Sequence, residues 1–306
     1  MTLPRAFMPT AALSRAFADP AQGFAVVGPW QAAEGQDWWA GASAADIRVG
    51  ISSGIDVWDK ALLDRLPALE RIVVYGAGQG GLDLDEIRRR GIGVDAASTH
   101  AVDVAEHAVG MTLSAWRRIG EGDAWVRDGR WASEGRMSPT RRLAGQRAGV
   151  VGLGHIGRET AQRLAALGCD VQWWGPNPKP DAPWPRADTL EVLAQESDIL
   201  VIAAFAHDHT RGLISDAIIR AVGPDGLIVN VSRGFVVDED ALIAALRDGS
   251  LGYAALDVFE EEPTPAARWA DVPNCLLNQH AAGATHEAMA ALRARSVATV
   301  REALGL

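Results

Sequence analysis

The chain has 306 residues, 48% of them apolar and 22% charged, which suits one large or two ordinary domains with buried cores. Thirty-nine acidic residues against 29 Lys and Arg leave a formal charge of −10 and an isoelectric point near 5.2, a balance that opposes a polyanionic partner and argues against sequence-independent nucleic-acid binding. The apolar runs are too short to cross a bilayer, Met1 to Thr10 lacks the basic-then-apolar order of a secretion signal, and two cysteines make neither a disulfide framework nor a four-ligand zinc site. The expectation is a cytoplasmic chain with no membrane span and no metal site.

Short β-rich runs alternate with segments of helical period, separated by Gly, Pro and Asp, which is the pattern of βαβ units and a parallel sheet. In chain order the pattern predicts a strand at Ile47 to Ile51, a short helix at Lys60 to Leu66, a strand at Arg71 to Tyr75, a helix at Leu84 to Arg90 closed by Gly91, and a strand at Val94 to Ala97. Ala101 to Ile119 reads as one long helix with Asp103 and Glu106 near its start and Arg117 and Arg118 near its end, a charge order that suits the helix dipole. Gly122 to Arg142 shows no clear period and reads as a connection. A second sheet is expected to begin at Arg147 to Leu153. Low-complexity sequence is confined to the Pro-rich patch Pro176 to Pro185.

That strand feeds Gly152-Leu153-Gly154-His155-Ile156-Gly157, and Arg158 to Leu167 continues at helical period up to Gly168. A bare G-x-G-x-x-G is weak evidence in a chain with 32 glycines. Set between a strand and a helix, with a second strand at Val171 to Trp174, it is a dinucleotide fingerprint: Gly152 for the tight turn, Gly154 for close approach of the pyrophosphate, Gly157 for helix packing. The phosphates would sit on free N–H groups at the helix start. The acid that ordinarily follows the second strand and binds the ribose hydroxyls is missing. Gly175 stands there, followed by Pro176, Asn177, Pro178 and Lys179. NADP is therefore permitted, with Lys179 as a cation for its 2′-phosphate; the alternative is NAD held through backbone and Asn177, with Lys179 a solvated loop charge.

A nicotinamide enzyme needs a proton donor beside the carbon that receives hydride. The Tyr-x-x-x-Lys route fails, because the two tyrosines, Tyr75 and Tyr253, are followed four residues on by Gln79 and Asp257. The zinc route lacks cysteines, and about 150 residues precede the glycine motif, unlike malate and lactate dehydrogenases, which begin with it. A histidine acid with a carboxylate partner and an arginine for an anionic substrate remains. Arg233 follows the apolar strand Leu227 to Val231, Glu262 ends an acidic run after Asp257, and His280 follows the short strand Cys275 to Leu277. Taken singly, each reads equally as a surface charge or a structural residue. Together they fall at strand ends of one sheet, which face the ligand crevice in open α/β folds.

With these residues in view, the chain resembles the D-isomer-specific 2-hydroxyacid dehydrogenase family over nearly its whole length. The matching motifs are Gly152 to Gly157, Glu196-Ser197-Asp198, Thr210 to Ile214, Asn230 to Gly234, Ala255 to Phe259, Glu262-Pro263 and His280, with Gly76-Ala77-Gly78 and Val104 to His107 earlier. The resemblance implies an α/β protein of two Rossmann-like, doubly wound parallel-sheet domains. A flavodoxin-like substrate domain would comprise residues 1 to 98 and 283 to 306, and an NAD(P)-binding Rossmann domain residues 99 to 282, with the active site in a cleft that closes.

It further implies that Arg233 forks onto the carboxylate and carbonyl oxygen of a 2-oxo acid, with N–H groups of Ala77 and Gly78 also binding it. His280 would protonate the carbonyl oxygen, and Glu262, on its far ring nitrogen, would favour the imidazolium. Gly152, Gly154, His155, Ile156, Gly157, Gly175, Asn177, Lys179, Val231 and Asp257 would line the NADP or NAD site, Asp257 near the carboxamide or in a purely structural role. Formate dehydrogenases of this fold pair the histidine with glutamine, so Glu262 favours hydroxy-acid chemistry. Glyoxylate or hydroxypyruvate reduction with NADPH is the reading preferred, in a homodimer. A short-form phosphoglycerate dehydrogenase and a dinucleotide-sensing, corepressor-like binding protein are the alternatives. His155 replaces the family's usual arginine, and Phe205-Ala206-His207 replaces a Pro-Leu-Thr-like turn near the adenine. Trp30, Trp38, Trp39 and Trp58 read as packing rather than as a substrate pocket.

Overall fold

The structure is a computed structural model and describes residues 3–41, 44–76, 78–96 and 100–306. The chain divides into two compact units, Met1–Thr99 with Thr285–Leu306, and His100–Ala284.

The first unit carries β1 (Arg5–Phe7), β2 (Ala25–Val27), α1 (Trp38–Gly41), β3 (Val49–Ser52), α2 (Lys60–Asp64), β4 (Arg71–Val74), α3 (Leu84–Arg89) and β5 (Gly93–Ala96). Its sheet has the order β2-β1-β3-β4-β5, every pair parallel, which is the flavodoxin-like order. Capping residues fix the helix starts: Asp59 accepts from the Leu62 N–H and Asp83 from the Glu86 N–H. The chain returns as the long helix His286–Leu304, started by Thr285, whose hydroxyl accepts from the Ala288 N–H.

The tryptophans singled out in the sequence pack this unit. Phe7 lies 5.8 Å from Trp38, 5.6 Å from Trp39 and 5.8 Å, edge on, from Trp58. Trp58 is wholly buried, and Trp30 donates its indole N–H to the Met8 carbonyl.

The second unit holds α4 (Ala101–Trp116), α5 (Ile119–Arg127), α6 (Arg130–Glu134), β6 (Arg147–Val151), α7 (His155–Ala166), β7 (Asp170–Trp174), α8 (Leu190–Glu196), β8 (Ile199–Ile202), α9 (Asp216–Val222), β9 (Leu227–Asn230), α10 (Glu239–Asp248), β10 (Tyr253–Leu256), α11 (Ala266–Trp269) and β11 (Cys275–Leu277). Its parallel sheet runs β11-β10-β9-β8-β6-β7. β8 and β9 are buried at every residue, as expected where helices cover both faces. The strand order reverses between β6 and β8, and that is where the glycine motif emerges.

Two expectations are corrected. The helix predicted to reach Ile119 stops at Trp116, because Arg118 adopts a left-handed conformation (φ 51°) and turns the chain. The stretch read as a connection then folds into α5 and α6, short amphipathic helices whose period is too brief to register. Among the described residues no helix is long and apolar enough to cross a membrane.

Gly50, on β3, exposes how tightly the tryptophan cluster is packed: a Cβ there would lie 2.4 Å from the Trp58 ring. Gly50→Ala is expected to destabilise the protein by about 1–3 kcal/mol, read as a lower denaturant midpoint. An unchanged midpoint would contradict the packing described.

Candidate active site

The glycine turn closes the C-terminal end of β6. Gly152 has φ 91°, and a Cβ on it would meet Ala204 Cα, just past β8, at 2.6 Å. A Cβ on Gly157 would meet the Gly152 carbonyl oxygen at 1.9 Å, so α7 seats directly on the turn. Around Gly154 the space is open. Gly154 also caps α7 without any side-chain acceptor, and the first intrahelical bond comes from the Arg158 N–H. The earlier N–H groups of His155, Ile156 and Gly157 therefore lack intrahelical acceptors beside open space, which suits a pyrophosphate. α7 begins at His155, three residues before the expected start, since the third glycine belongs to its first turn.

The register carries this site sideways to β7. The Gly152 N–H donates to the Trp174 carbonyl at 2.7 Å, and Gly175 follows, buried, with no carboxylate. Its carbonyl accepts from Arg186, Nη2 at 2.7 Å and Nε at 3.2 Å. Asn177 and Lys179 stand exposed on the Pro-rich turn. Phe205, beyond β8, is 81% exposed, with His207 5.9 Å from its ring.

Three neighbouring strands deliver the remaining residues from the same end. Past β9, Asn230 accepts from the Ser232 N–H and donates to the Arg233 carbonyl, fixing the turn, while buried Val231 lies beneath it. The Arg233 guanidinium donates to the Ser232 carbonyl at 2.7 Å. Gly234 lies directly on the Phe259 backbone, where a Cβ would meet the carbonyl carbon at 1.8 Å. The Phe259 N–H in turn donates to Glu262 Oε1 at 3.0 Å.

The other Glu262 oxygen, Oε2, lies 2.6 Å from His280 Nδ1. A carboxylate only accepts, so Nδ1 is the donor and Nε2 is the ring nitrogen left to act. His280 is 42% exposed at its side chain and has a left-handed backbone, φ 54°. For a residue with a Cβ that conformation costs about 1–3 kcal/mol and persists only where neighbours impose it. Asp257, 1% exposed after β10, does so: its carbonyl accepts the His280 N–H at 2.8 Å, Oδ1 the Ala281 N–H at 2.9 Å and Oδ2 the Ala282 N–H at 3.0 Å. Both carboxylate oxygens thus hold the histidine turn, which is the structural role weighed for Asp257.

Several residues went unnoticed in the sequence as part of this network. Asn278 donates its side-chain amide to His107 Nε2 at 2.7 Å, and that nitrogen stands 3.4 Å from Asp257 Oδ1; His107 lies in a motif already quoted. His100, against whose ring Gly283 packs, had no signal beyond being a histidine. Burial pushes its imidazole below the ordinary value; Asp103 opposes this, and the positive charges of Arg233 and His280 add to it. Of the expected substrate contacts, Gly78 lies in the first unit's loop after β4, its carbonyl packed against Gly54, and Ala77 lies outside the described residues. Burial raises the thiols of Cys169 and Cys275 to about 11 and about 12, which keeps both protonated near neutral pH.

Residues 109–282 match the family described as D-isomer specific 2-hydroxyacid dehydrogenase, NAD binding domain. A glyoxylate/hydroxypyruvate reductase of Arabidopsis thaliana is 36% identical over 244 residues, 79% of this chain and 75% of its own. A 2-ketogluconate reductase of Gluconobacter oxydans is 37% identical over 243 residues, 79% of this chain and 77% of its own. Among solved structures, a 2-hydroxyacid dehydrogenase from Ketogulonicigenium vulgare superposes with a TM-score of 0.91 at 36% identity, over 100% of this chain and 96% of that one. An NADPH-dependent glyoxylate/hydroxypyruvate reductase from Sinorhizobium meliloti, in complex with NADP and malonate, gives 0.86 at 29% identity, over 98% and 93%.

Asp257→Asn replaces an acceptor with an amide that confronts a backbone N–H. It should destabilise the protein by about 1–3 kcal/mol in denaturant unfolding and broaden the NMR signals of the Ala281 and Ala282 amides. A variant as stable as wild type would contradict the anchoring role.

Proposed function

The chain belongs to the D-isomer specific 2-hydroxyacid dehydrogenase family, NAD(P)-dependent oxidoreductases acting on CH–OH groups, and from that premise we propose that it reduces glyoxylate and hydroxypyruvate with NADPH. The observation that carries the reading is the 2.6 Å pairing of His280 Nδ1 with Glu262, which leaves Nε2 as a proton donor beside the Arg233 turn. Reductases acting on these two acids among the relatives support the substrate class, and the missing acid at Gly175 supports NADPH.

The cofactor, when bound, supplies the hydride. Arg233 binds the substrate carboxylate and carbonyl oxygen through two parallel N–H bonds, orienting the C2 carbon and drawing charge onto its oxygen. The guanidinium suits this because its near hydrogen bond goes to a neutral carbonyl, so its charge remains for the substrate. His280 Nε2 gives its proton to the carbonyl oxygen as that carbon is reduced, and in the reverse direction takes it back. Glu262 fixes the ring's tautomer and stabilises the imidazolium before transfer. Asp257 holds the histidine turn, and the amides at the start of α7 bind the dinucleotide phosphates.

The assignment of the substrate domain to Met1–Thr99 with Thr285–Leu306, and of the dinucleotide domain to His100–Ala284, is part of the same proposal. So is a homodimer. It is supported by Ile119, Val126 and Trp131 on α5 and α6, exposed by 58%, 55% and 56%, and is read by light scattering.

The test follows NADPH and NADH absorbance with glyoxylate, hydroxypyruvate, pyruvate and phenylpyruvate. Turnover with the first two and NADPH is expected; tight dinucleotide binding without turnover would favour a sensor. Arg233→Lys should lower kcat/KM about 30- to 150-fold, the equivalent of about 2–3 kcal/mol for a lost charge-assisted fork; an unaltered value would remove Arg233 from the site. Glu262→Gln keeps a hydrogen-bond acceptor but removes the charge that favours the imidazolium. Reduction, which needs the proton held ready on Nε2, should therefore slow by about 10-fold in kcat with KM little changed. An unchanged kcat would overturn the pairing.

A further inference from the structure

We propose that Arg186, rather than Lys179, recognises the 2′-phosphate of NADPH and sets the cofactor preference. The inference rests on the dinucleotide reading above and specifies which side chain discriminates.

Pro185 to Ala187 runs beside the outer edge of β7. The Trp173 N–H donates to the Pro185 carbonyl at 3.1 Å, the Ala187 N–H donates to the Trp173 carbonyl at 2.8 Å, and Trp173 and Arg186 form an isolated parallel bridge. Backbone hydrogen bonds therefore fix where the Arg186 side chain starts. Its guanidinium reaches the C-terminal end of β7 and donates Nε and Nη2 to the Gly175 carbonyl, at the position where a ribose-binding carboxylate ordinarily stands. The preceding residue, Trp174, accepts the Gly152 N–H of the phosphate-binding turn. A ribose attached to a pyrophosphate at the start of α7 is thereby brought next to Gly175.

Charge distinguishes Arg186 from its neighbours. Arg158, on α7, is paired with Asp181 at 2.7 Å. Arg186 forms no ion pair among the described residues; its hydrogen bonds go to a neutral carbonyl, and it is exposed. Of five N–H donors, two point at Gly175, which leaves three and an uncancelled positive charge. Arg233 is held in the same manner, by one carbonyl and no carboxylate. A guanidinium fork matches a phosphate dianion, whereas Lys179 is exposed on the Pro-rich turn and its side chain makes no hydrogen bond or ion pair among the described residues.

The test is equilibrium binding by calorimetry of NADPH, NADH, adenosine 2′,5′-bisphosphate and adenosine 5′-monophosphate to the full chain. The proteins are wild type, Arg186→Gln, Arg186→Lys and Lys179→Gln. Wild type should prefer NADPH and the bisphosphate. Arg186→Gln should weaken both by about 10- to 100-fold, the range of a charge-assisted hydrogen bond, with NADH and the monophosphate changed less than threefold. Arg186→Lys should fall between, and Lys179→Gln should stay within threefold of wild type throughout. Equal losses for both cofactors in Arg186→Gln would reduce Arg186 to a prop for Gly175 and overturn the proposal, as would the selective loss appearing in Lys179→Gln. A wild type that binds NADH as tightly as NADPH would overturn the cofactor preference itself, and this inference with it, before any variant is compared.

Discussion

The site depends on one buried carboxylate. Asp257, at the end of β10, holds three consecutive residues of the turn after β11: His280 through its carbonyl, Ala281 and Ala282 through its two carboxylate oxygens. Burying that charge is tolerable because the backbone N–H groups satisfy it. The bonds impose a left-handed conformation on His280, which sets the imidazole against Glu262. Released from Asp257, the turn would have no reason to keep that strained geometry, and the imidazole would lose its place against Glu262. The buried carboxylate of Asp257 thus acts on the backbone of the turn, and Glu262 acts on the ring.

Around this constraint the sheet performs the positioning. Parallel strands end together, so residues following β6, β7, β9, β10 and β11 share one edge although they are more than a hundred positions apart in the chain. Close backbone contacts replace side chains wherever two loops must touch: Gly152 on Ala204, Gly157 on Gly152, Gly234 on Phe259. The chain as a whole carries a net charge of −10. Guanidinium groups bound to carbonyls rather than to acids keep their charge for an anion, and the unpaired amides of α7 add partial positive charge.

Much of this was legible in the sequence because it is local. The glycine spacing between a strand and a helix marks the phosphate turn. The flavodoxin-like order of the first sheet and the parallel second sheet follow from alternating short apolar runs. Arg233 and His280 could be picked out because each follows such a run, and Glu262 because it ends the acidic run after Asp257. Arg186 could not, since its role arises from a parallel bridge to Trp173 that no periodicity reveals. His100 and Asn278 enter through contacts set by tertiary packing alone. The helix at Ala101 was read too long because nothing in Arg118 announces a left-handed turn, a conformation more usual for glycine. α5 and α6 are too short for their period to stand out from noise.

The most direct test is a crystal structure with NADPH and oxamate, a non-reducible analogue of the proposed 2-oxo acids. The oxamate carboxylate should lie on Arg233 and its C2 oxygen within about 3 Å of His280 Nε2, with Nδ1 still on Glu262. An oxamate seated away from both residues, or a His280 ring parted from Glu262 in the loaded enzyme, would contradict this arrangement.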